Sequence, residues 1–460
     1  MKIIIVGCGK IGCAIARDLS GEKGLHVTVV DRNPDIFDNV IASMDIRFVV
    51  GNGLNEKTLL EAGAKNADLI VATTGADEEN ILCCIIAKHL GTAHAAARVR
   101  NPDYALDFHK LWKNLGIDTI INPEYQTARE ISRLLRYQSA DAIDTFVGGR
   151  VELVSFRISE APGFFVGKSV SQIFTKKMGI LVAVVERNNM ALIPHGDLVF
   201  EKSDVIRIIG RPSNIMSFFV LLGIKPKKNK EVVIIGGGKI THYLTELLSR
   251  HTMKSNIKII EKDREICEVL SETLGLQYRC LVIHGDGTNE DVLLSEDISQ
   301  ADAVICLTGR DEENAIVSLY ASQLGIKKVI TKINHINQNM VKFLGLSSIV
   351  TPQNITSDYV THYVKGLVGA VGRNSRTMHK IFDGGDGPVE AIEFQAPEKA
   401  KCLNTPLKDL KLKKGILIGC IVRAADIIVP SGETHLQPGD SVIVIAKANV
   451  ISGLDDILLS

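Results

Sequence analysis

The chain has 460 residues, too long for one ordinary domain and suggestive of about three on length alone. Its 53 basic and 53 acidic side chains cancel to a formal net charge of zero, which argues against a nucleic-acid binder held by a basic surface. No apolar stretch approaches the ~18–20 residues that span a bilayer, and no cleavage-site pattern follows the short run Ile3 to Val6, so the expected location is the cytoplasm.

The first expected strand, Ile3 to Val6, runs into Gly7, Cys8, Gly9, Lys10, Ile11 and Gly12, and a helix follows around Ala14 to Leu19. In that context the first glycine permits a tight turn, the second lets backbone approach a pyrophosphate, and the third lets helix and strand pack closely. Free backbone N–H groups and the helix dipole then attract phosphate. The next strand, Val27 to Val30, ends at Asp31, 24 residues after Gly7. An acid there binds both ribose hydroxyls, contributing ~1.5–3 kcal/mol. It also repels a 2′-phosphate, which favours NAD(H) over NADP(H), although Arg32 is adjacent.

Further aliphatic runs, RFVV and LIVAT, lack strict alternation, as parallel strands covered on both faces do. Thr73 and Thr74 end the second of these, where ligands bind at the carboxyl ends of a doubly wound sheet. Asp77, Glu78 and Glu79 then open a helix, where acidic charge is favourable by ~0.3–1 kcal/mol each. Arg98 ends a later strand, placed either to contact phosphate or as a surface charge. Helical spacing over 125–140 predicts a bridge to a second, smaller part. That part shows short alternating strands around Asn188-Asn189 and Pro194-x-Gly196, which suggests an α+β module. The charged stretch Lys225 to Lys230 reads as a linker.

The chain then repeats itself. The offset is 229 at Gly7/Gly236 and 234 at Gly51/Gly285, and it is a constant 236 across Gly179/Gly415, Pro194/Pro430 and Asp204/Asp440. The second copy carries Gly236, Gly237, Gly238, Lys239 and Ile240, with Thr241 in place of the third glycine. Glu261 stands where Asp31 stands, Leu307 and Thr308 where Thr73 and Thr74 stand, and Lys332 where Arg98 stands. Asp311, Glu312 and Glu313 repeat the acidic helix start. The expected architecture is α/β: two doubly wound Rossmann-like parallel-sheet domains, each followed by a small α+β domain. The boundaries fall at 1–124, a bridging helix 125–143, then 144–224, 230–353, a bridging segment 354–383 and 384–460, with Asp383 to Pro388 separating the last two modules.

The nine cysteines form no CxxC and no zinc-like set with histidine. They read as small buried hydrophobes in a reducing compartment, with Cys8 in the glycine loop as the one redox alternative. No metal ligand set is expected.

The order GCGKIG, VVDR, GNG, ADLIVATTGADEEN, ARVRNP, followed by the smaller module, resembles the RCK domain, a regulator of potassium conductance. Two such units in one chain resemble the cytosolic regulatory subunits of Trk-type potassium uptake systems. The resemblance implies an RCK N-terminal and an RCK C-terminal domain in each copy. It also implies NAD(H) contacts at Gly7 to Ile11, Asp31, Thr73, Thr74 and Arg98. In the second copy they are Gly236 to Ile240, Glu261, Leu307, Thr308 and Lys332. Some members of that family bind ATP or ADP, so either site could take those instead. The implied partners are an integral-membrane potassium transporter subunit and further copies of the chain in a ring, expected as a tetramer, held peripherally at the inner face of the membrane. The resemblance implies no catalysis. The alternatives are an NAD-dependent oxidoreductase and a scaffold with structural nucleotide. Against the first, none of the eight tyrosines has a lysine four residues on.

Overall fold

Ile3, Ile4, Ile5 and Val6 are each at most 2% exposed, so β1 (Lys2–Val6) is covered on both faces, as a central parallel strand must be. Beside it lie β2 (His26–Asp31), β3 (Arg47–Val50), β4 (Leu69–Ala72), β5 (His94–Arg98) and β6 (Thr119–Ile121), in the spatial order β3-β2-β1-β4-β5-β6. Each strand of this sheet pairs in parallel with its neighbours. After β7 (Ala140–Phe146), β8 (Val151–Arg157), β9 (Ile180–Arg187), β10 (Met190–Leu192) and β11 (Val205–Gly210), the pattern starts again. The second parallel sheet is β14-β13-β12-β15-β16-β17, from β12 (Glu231–Ile235), β13 (Asn256–Glu261), β14 (Cys280–His284), β15 (Ala303–Cys306), β16 (Lys328–Lys332) and β17 (Ser348–Val350). The chain ends with β18 (Ser375–Phe382), β19 (Val389–Gln395), β20 (Ile416–Arg423), β21 (Asp426–Ile428) and β22 (Ser441–Lys447). The two five-stranded sheets share one topology, β10-β9-β11-β8-β7 and β18-β19-β22-β20-β21 read in opposite directions. This computed structural model describes the chain apart from residues 23, 37–43, 102–108, 138–139, 224–230, 251–254, 276–277, 279, 327, 335–344, 347, 371–374, 383–386, 449, 452 and 460.

The tandem sequence does not fold as two tandem bodies. One compact unit takes Met1–Ile131, Lys230–Leu324 and Ile330–Thr361, which joins the two parallel-sheet domains. The other takes Ser132–Asn229, Gly325–Val329 and His362–Ser460, which joins the two small modules. Inside the first unit, buried Tyr243 links the copies: it accepts from Asn122 Nδ2 at 2.8 Å and donates to the Arg100 carbonyl at 3.3 Å. Ser357 donates to Asp18 at 2.5 Å across the same division. Inside the second unit, Leu153, Val184 and Ile209 share a core with Ala391, Cys420 and Ile445, so the two antiparallel sheets bury their apolar faces on each other.

Each small module also holds a buried ion pair that the sequence reading passed over. Asp204 is fully buried and takes two bonds of 2.8 Å from Arg187, and Asp440, 1% exposed, takes two of 2.9 Å from Arg423. Each carboxylate also accepts the turn amide three residues back, Glu201 N–H at 2.9 Å and Gln437 N–H at 2.8 Å.

Several expectations shift. The bridging segments are shorter than 125–143 and 354–383: the helices run Pro123–Leu134 and Pro352–Ala370, and β7 and β18 begin inside those spans. Helix-period spacing cannot be told from strand onset where both elements bury apolar residues. Asn188 and Asn189, with φ of 51° and 59°, make the β9–β10 hairpin turn. Pro194-x-Gly196 lies in the loop after β10, where the Gly196 carbonyl accepts Ser171 N–H at 2.9 Å. The linker Lys225 to Lys230 and residues 383–386 lie outside the described residues.

Candidate functional site

The strand order reverses between β1 and β4, and a cleft of ≈ 330 Å³ opens there, lined by Gly7, Gly9, Asp31, Arg32, Asn52, Gly53, Thr73, Thr74, Glu79 and Arg98 among others. That volume is at the lower end of small-ligand sites, ~300–1,000 Å³, and its position is where open α/β sheets bind ligands. Asp31 Oδ2 accepts Cys8 N–H at 2.6 Å and Oδ1 accepts Asn33 N–H at 2.9 Å. An ionised carboxylate has about four acceptor sites, so roughly two remain for a vicinal diol. Arg32 spans the rim, donating to Asn52 Oδ1 and Glu79 Oε1, both at 3.0 Å. Gly53 lies so close to β1 that a Cβ would sit 2.2 Å from Val6 Cγ1.

The acidic helix start does more than complement a dipole. Asp77, 7% exposed, accepts the amides of Arg100 and Asn101, both at 2.9 Å. Asn80, fully buried, accepts Thr74 N–H at 2.7 Å and donates to the Arg98 carbonyl at 3.0 Å, which ties the ends of β4 and β5 together. Asp311 and Asn314 repeat this: Asp311 holds Asn334 N–H at 2.9 Å, and Asn314 joins Thr308 and Lys332 at 2.8 and 3.0 Å.

The second loop copies the first with one exchange. Glu261 Oε2 accepts Gly237 N–H at 2.6 Å and Oε1 accepts Asp263 N–H at 2.8 Å, matching Asp31. In the first loop the Gly7 carbonyl is served by Thr73 Oγ1 at 2.8 Å, and a Cβ on Gly12 would stand 1.9 Å from that carbonyl. In the second, Leu307 has no hydroxyl, and Thr241 on the helix supplies it to the Gly236 carbonyl at 2.6 Å. The two departures, Thr241 and Leu307, are therefore one compensated change. In a denaturation cycle, Gly12→Thr should cost ~1–3 kcal/mol by overpacking. Adding Thr73→Leu should recover ~0.5 kcal/mol or more of the summed losses; strictly additive losses would sink this reading.

A second cleft of ≈ 300 Å³ adjoins the first and shares Gly9, Thr73 and Arg98 with it. Lys10, Ile11, Pro123 and Glu124 line it from the first copy, and Ile240, Lys332, Asn334, Pro352 and Gln353 from the second. Burial pulls the Arg98 guanidinium and the Lys332 ammonium below their ordinary ranges and pushes the Glu124 carboxyl above its own. Arg98 Nε and Glu124 Oε2 are buried without hydrogen-bond partners. A buried cation with an open donor, next to the glycine loop, suits an anion such as phosphate.

Of the residues expected from the sequence, Gly7, Gly9, Asp31, Thr73, Thr74 and Arg98 line the first cleft, and Lys10, Ile11, Ile240 and Lys332 line the second. Cys8 contributes its amide to Asp31, and Gly12 sits behind the loop against Thr73. Gly236, Gly237, Gly238, Lys239, Glu261, Leu307 and Thr308 rebuild the same turn in the second copy, where Leu270 and Ile266 crowd Gly237. The sequence reading took Glu79 only as a helix-start charge and missed Asn52, Gly53, Asn80 and Glu124; the repeats GNG/GDG and DEEN/DEEN were the signals for all but the last. Among the described residues, no group of three or more His, Cys, Asp or Glu side chains is placed to hold a metal ion, and no helix is long and apolar enough to cross a membrane.

The TrkA-N domain family model matches residues 3–123 and 232–352, and the TrkA-C domain model matches 153–223 and 391–459. The chain is 31% identical over 464 residues to Trk system potassium uptake protein TrkA homolog 1 of Methanosarcina mazei, covering 99% of each. It is 31% identical over 461 residues to Trk system potassium uptake protein TrkA of Halomonas elongata, covering 96% of this chain and 95% of that one. Among solved structures, the GsuK RCK domain superposes with a TM-score of 0.62 at 18% identity over 97% of this chain and 92% of that one. The GsuK channel bound to NAD superposes with a TM-score of 0.61 at 18% identity, over 97% of this chain and 77% of that one. At such identity these two describe the fold.

Proposed function

Because this chain belongs to the TrkA family of Trk system potassium uptake proteins, with TrkA-N and TrkA-C domains each present twice, we propose that it is the nucleotide-binding regulatory subunit of a potassium uptake transporter. It works in the cytoplasm, attached peripherally to an integral-membrane partner, in a ring with other copies of itself. The observation that carries the reading is the first cleft: a strand-end carboxylate with acceptor capacity to spare, beside a glycine loop and Arg98. NAD(H) is the preferred ligand, because Asp31 favours a free ribose diol; ATP or ADP would use the same loop. Asp31 holds the ribose, the amides of Gly7 to Ile11 and Arg98 hold the phosphates, and Thr74 borders the cleft. Gly236 to Ile240, Glu261, Thr308 and Lys332 do the same in the second copy.

Phosphates bound at Arg98 sit where the two clefts meet, so residues of both copies respond to them. A ligand moves a gate only by the difference in its affinity for two arrangements, typically ~1–3 kcal/mol. No chemical step is needed for that, and the protein acts as a switch rather than an enzyme.

The test has two stages. Calorimetry of the purified protein with NADH, NAD, ATP and ADP should reveal binding. Potassium flux through the co-purified membrane subunit should then depend on the nucleotide added. Absence of binding by all four overturns the reading. Steady NADH oxidation with a carbonyl substrate would replace the switch by an oxidoreductase, and a nucleotide that survives dialysis unchanged, by a scaffold.

A further inference from the structure

Cys8 and Cys13 flank the start of the helix Lys10–Ser20, whose N-cap is Gly9. They hold the position before the cap and the fourth helical position, where side chains fold back onto each other as a hydrophobic staple does. Here both are thiols. Cys13 S–H donates to the Cys8 carbonyl at 2.8 Å, which places its sulfur against the residue that carries the other thiol. Cys8 is 3% exposed, while Cys13 is half-buried and open to small oxidants.

We infer that Cys8 and Cys13 form a reversible thiol–disulfide pair, oxidised by a hydroperoxide and reduced by a dithiol, built into the first phosphate loop. The chemistry favours this pair over the other cysteines. The hydrogen bond from Cys8, then the charge of Arg17, draw the Cys13 thiol below its ordinary range against the effect of burial. Burial pushes the seven outside the pair upward. Cys13 thiolate attacks one peroxide oxygen, the O–O bond breaks, and a sulfenic acid and hydroxide form. Cys8 sulfur then attacks the sulfenic sulfur, its proton passing to the leaving hydroxide. Two thiols lose two electrons and two protons, and the peroxide becomes two waters. A dithiol then reduces the protein disulfide by exchange, returning two thiols and becoming a disulfide itself.

The disulfide removes the S–H that serves the Cys8 carbonyl and draws Cys8 toward the helix. Glycines stand on both sides of Cys8, so the loop takes up the displacement and its phosphate-facing amides move with it. This consequence rests on the proposed nucleotide site; the thiol chemistry does not. The second copy has Gly237 and His242 at these positions and serves as an internal control.

Full-length protein would be treated with hydrogen peroxide, alkylated and digested with trypsin, which cuts after Lys10 and so separates the two cysteines. Peptides Ile3–Lys10 and Ile11–Arg17 should appear linked, part on dithiothreitol treatment, and stay apart in Cys13→Ser. The affinity for NADH should fall about tenfold or more on oxidation of the wild type, recover on reduction, and not respond to peroxide in Cys13→Ser. Free alkylation of both cysteines after peroxide overturns the pair. Linkage with unchanged affinity overturns its control of the loop. If the reduced protein binds no nucleotide, the proposed function falls while the linked peptides still decide the thiol chemistry.

Discussion

Asp440→Ala is expected to destabilise the unit of small modules by about 3 kcal/mol, near the lower end for removing one partner of a buried ion pair. The carboxylate is 1% exposed and takes two bonds from Arg423 and one from Gln437 N–H. Its loss strands an amide and leaves the guanidinium, among the described residues, with the His435 carbonyl. The cost stays near the lower end because the Arg423 side chain is 30% exposed and keeps water. Asp204→Ala should cost less, about 2 kcal/mol, because Arg187 retains Glu201 at 2.6 Å and the Val199 carbonyl at 2.8 Å. The modules share a core, so a single transition should shift in either variant. For a unit of this size 3 kcal/mol corresponds to a fall of roughly 6–12 °C in Tm. A change under about 1 kcal/mol for Asp440→Ala, read from urea denaturation, would mean the pair contributes no more than a surface ion pair does.

Asp31→Ala is expected to weaken NADH binding at the first cleft about 10- to 100-fold, the equivalent of losing ~1.5–3 kcal/mol of charge-assisted bonding to the ribose. The same change should narrow the gap between NAD(H) and NADP(H), because the carboxylate that repels a 2′-phosphate is gone. A general loosening of the loop would weaken both ligands alike, so the ratio separates recognition from scaffold. Asp31→Asn should lie between, since an amide oxygen can still accept from Cys8 or Asn33 but carries no charge. Glu261→Ala should leave the first site untouched, because Glu261 serves the Gly237 turn. Equal NADH affinity for the wild type and Asp31→Ala in calorimetry would remove the acid from the site.

The sequence by itself determined the duplication, the strand–turn–helix of each glycine loop, and the acids Asp31 and Glu261 at strand ends. These are local: a turn glycine, an aliphatic run and a fixed offset need only neighbouring residues to be read. It did not reveal why DEEN recurs. Asp77 and Asn80 are legible as helix-start residues, but their partners at Arg98, Arg100 and Asn101 lie 18 to 24 residues away and are brought close by the parallel pairing of β4 and β5. Thr241 and Leu307 read as two separate losses until the sheet placed both beside one carbonyl. The tertiary structure alone decided that like domains group with like. A tandem repeat leaves every copy with apolar faces to cover, and chain order does not say which copy covers them. Burial of Leu153, Val184 and Ile209 against Ala391, Cys420 and Ile445 chose the opposite small module over the neighbour in sequence.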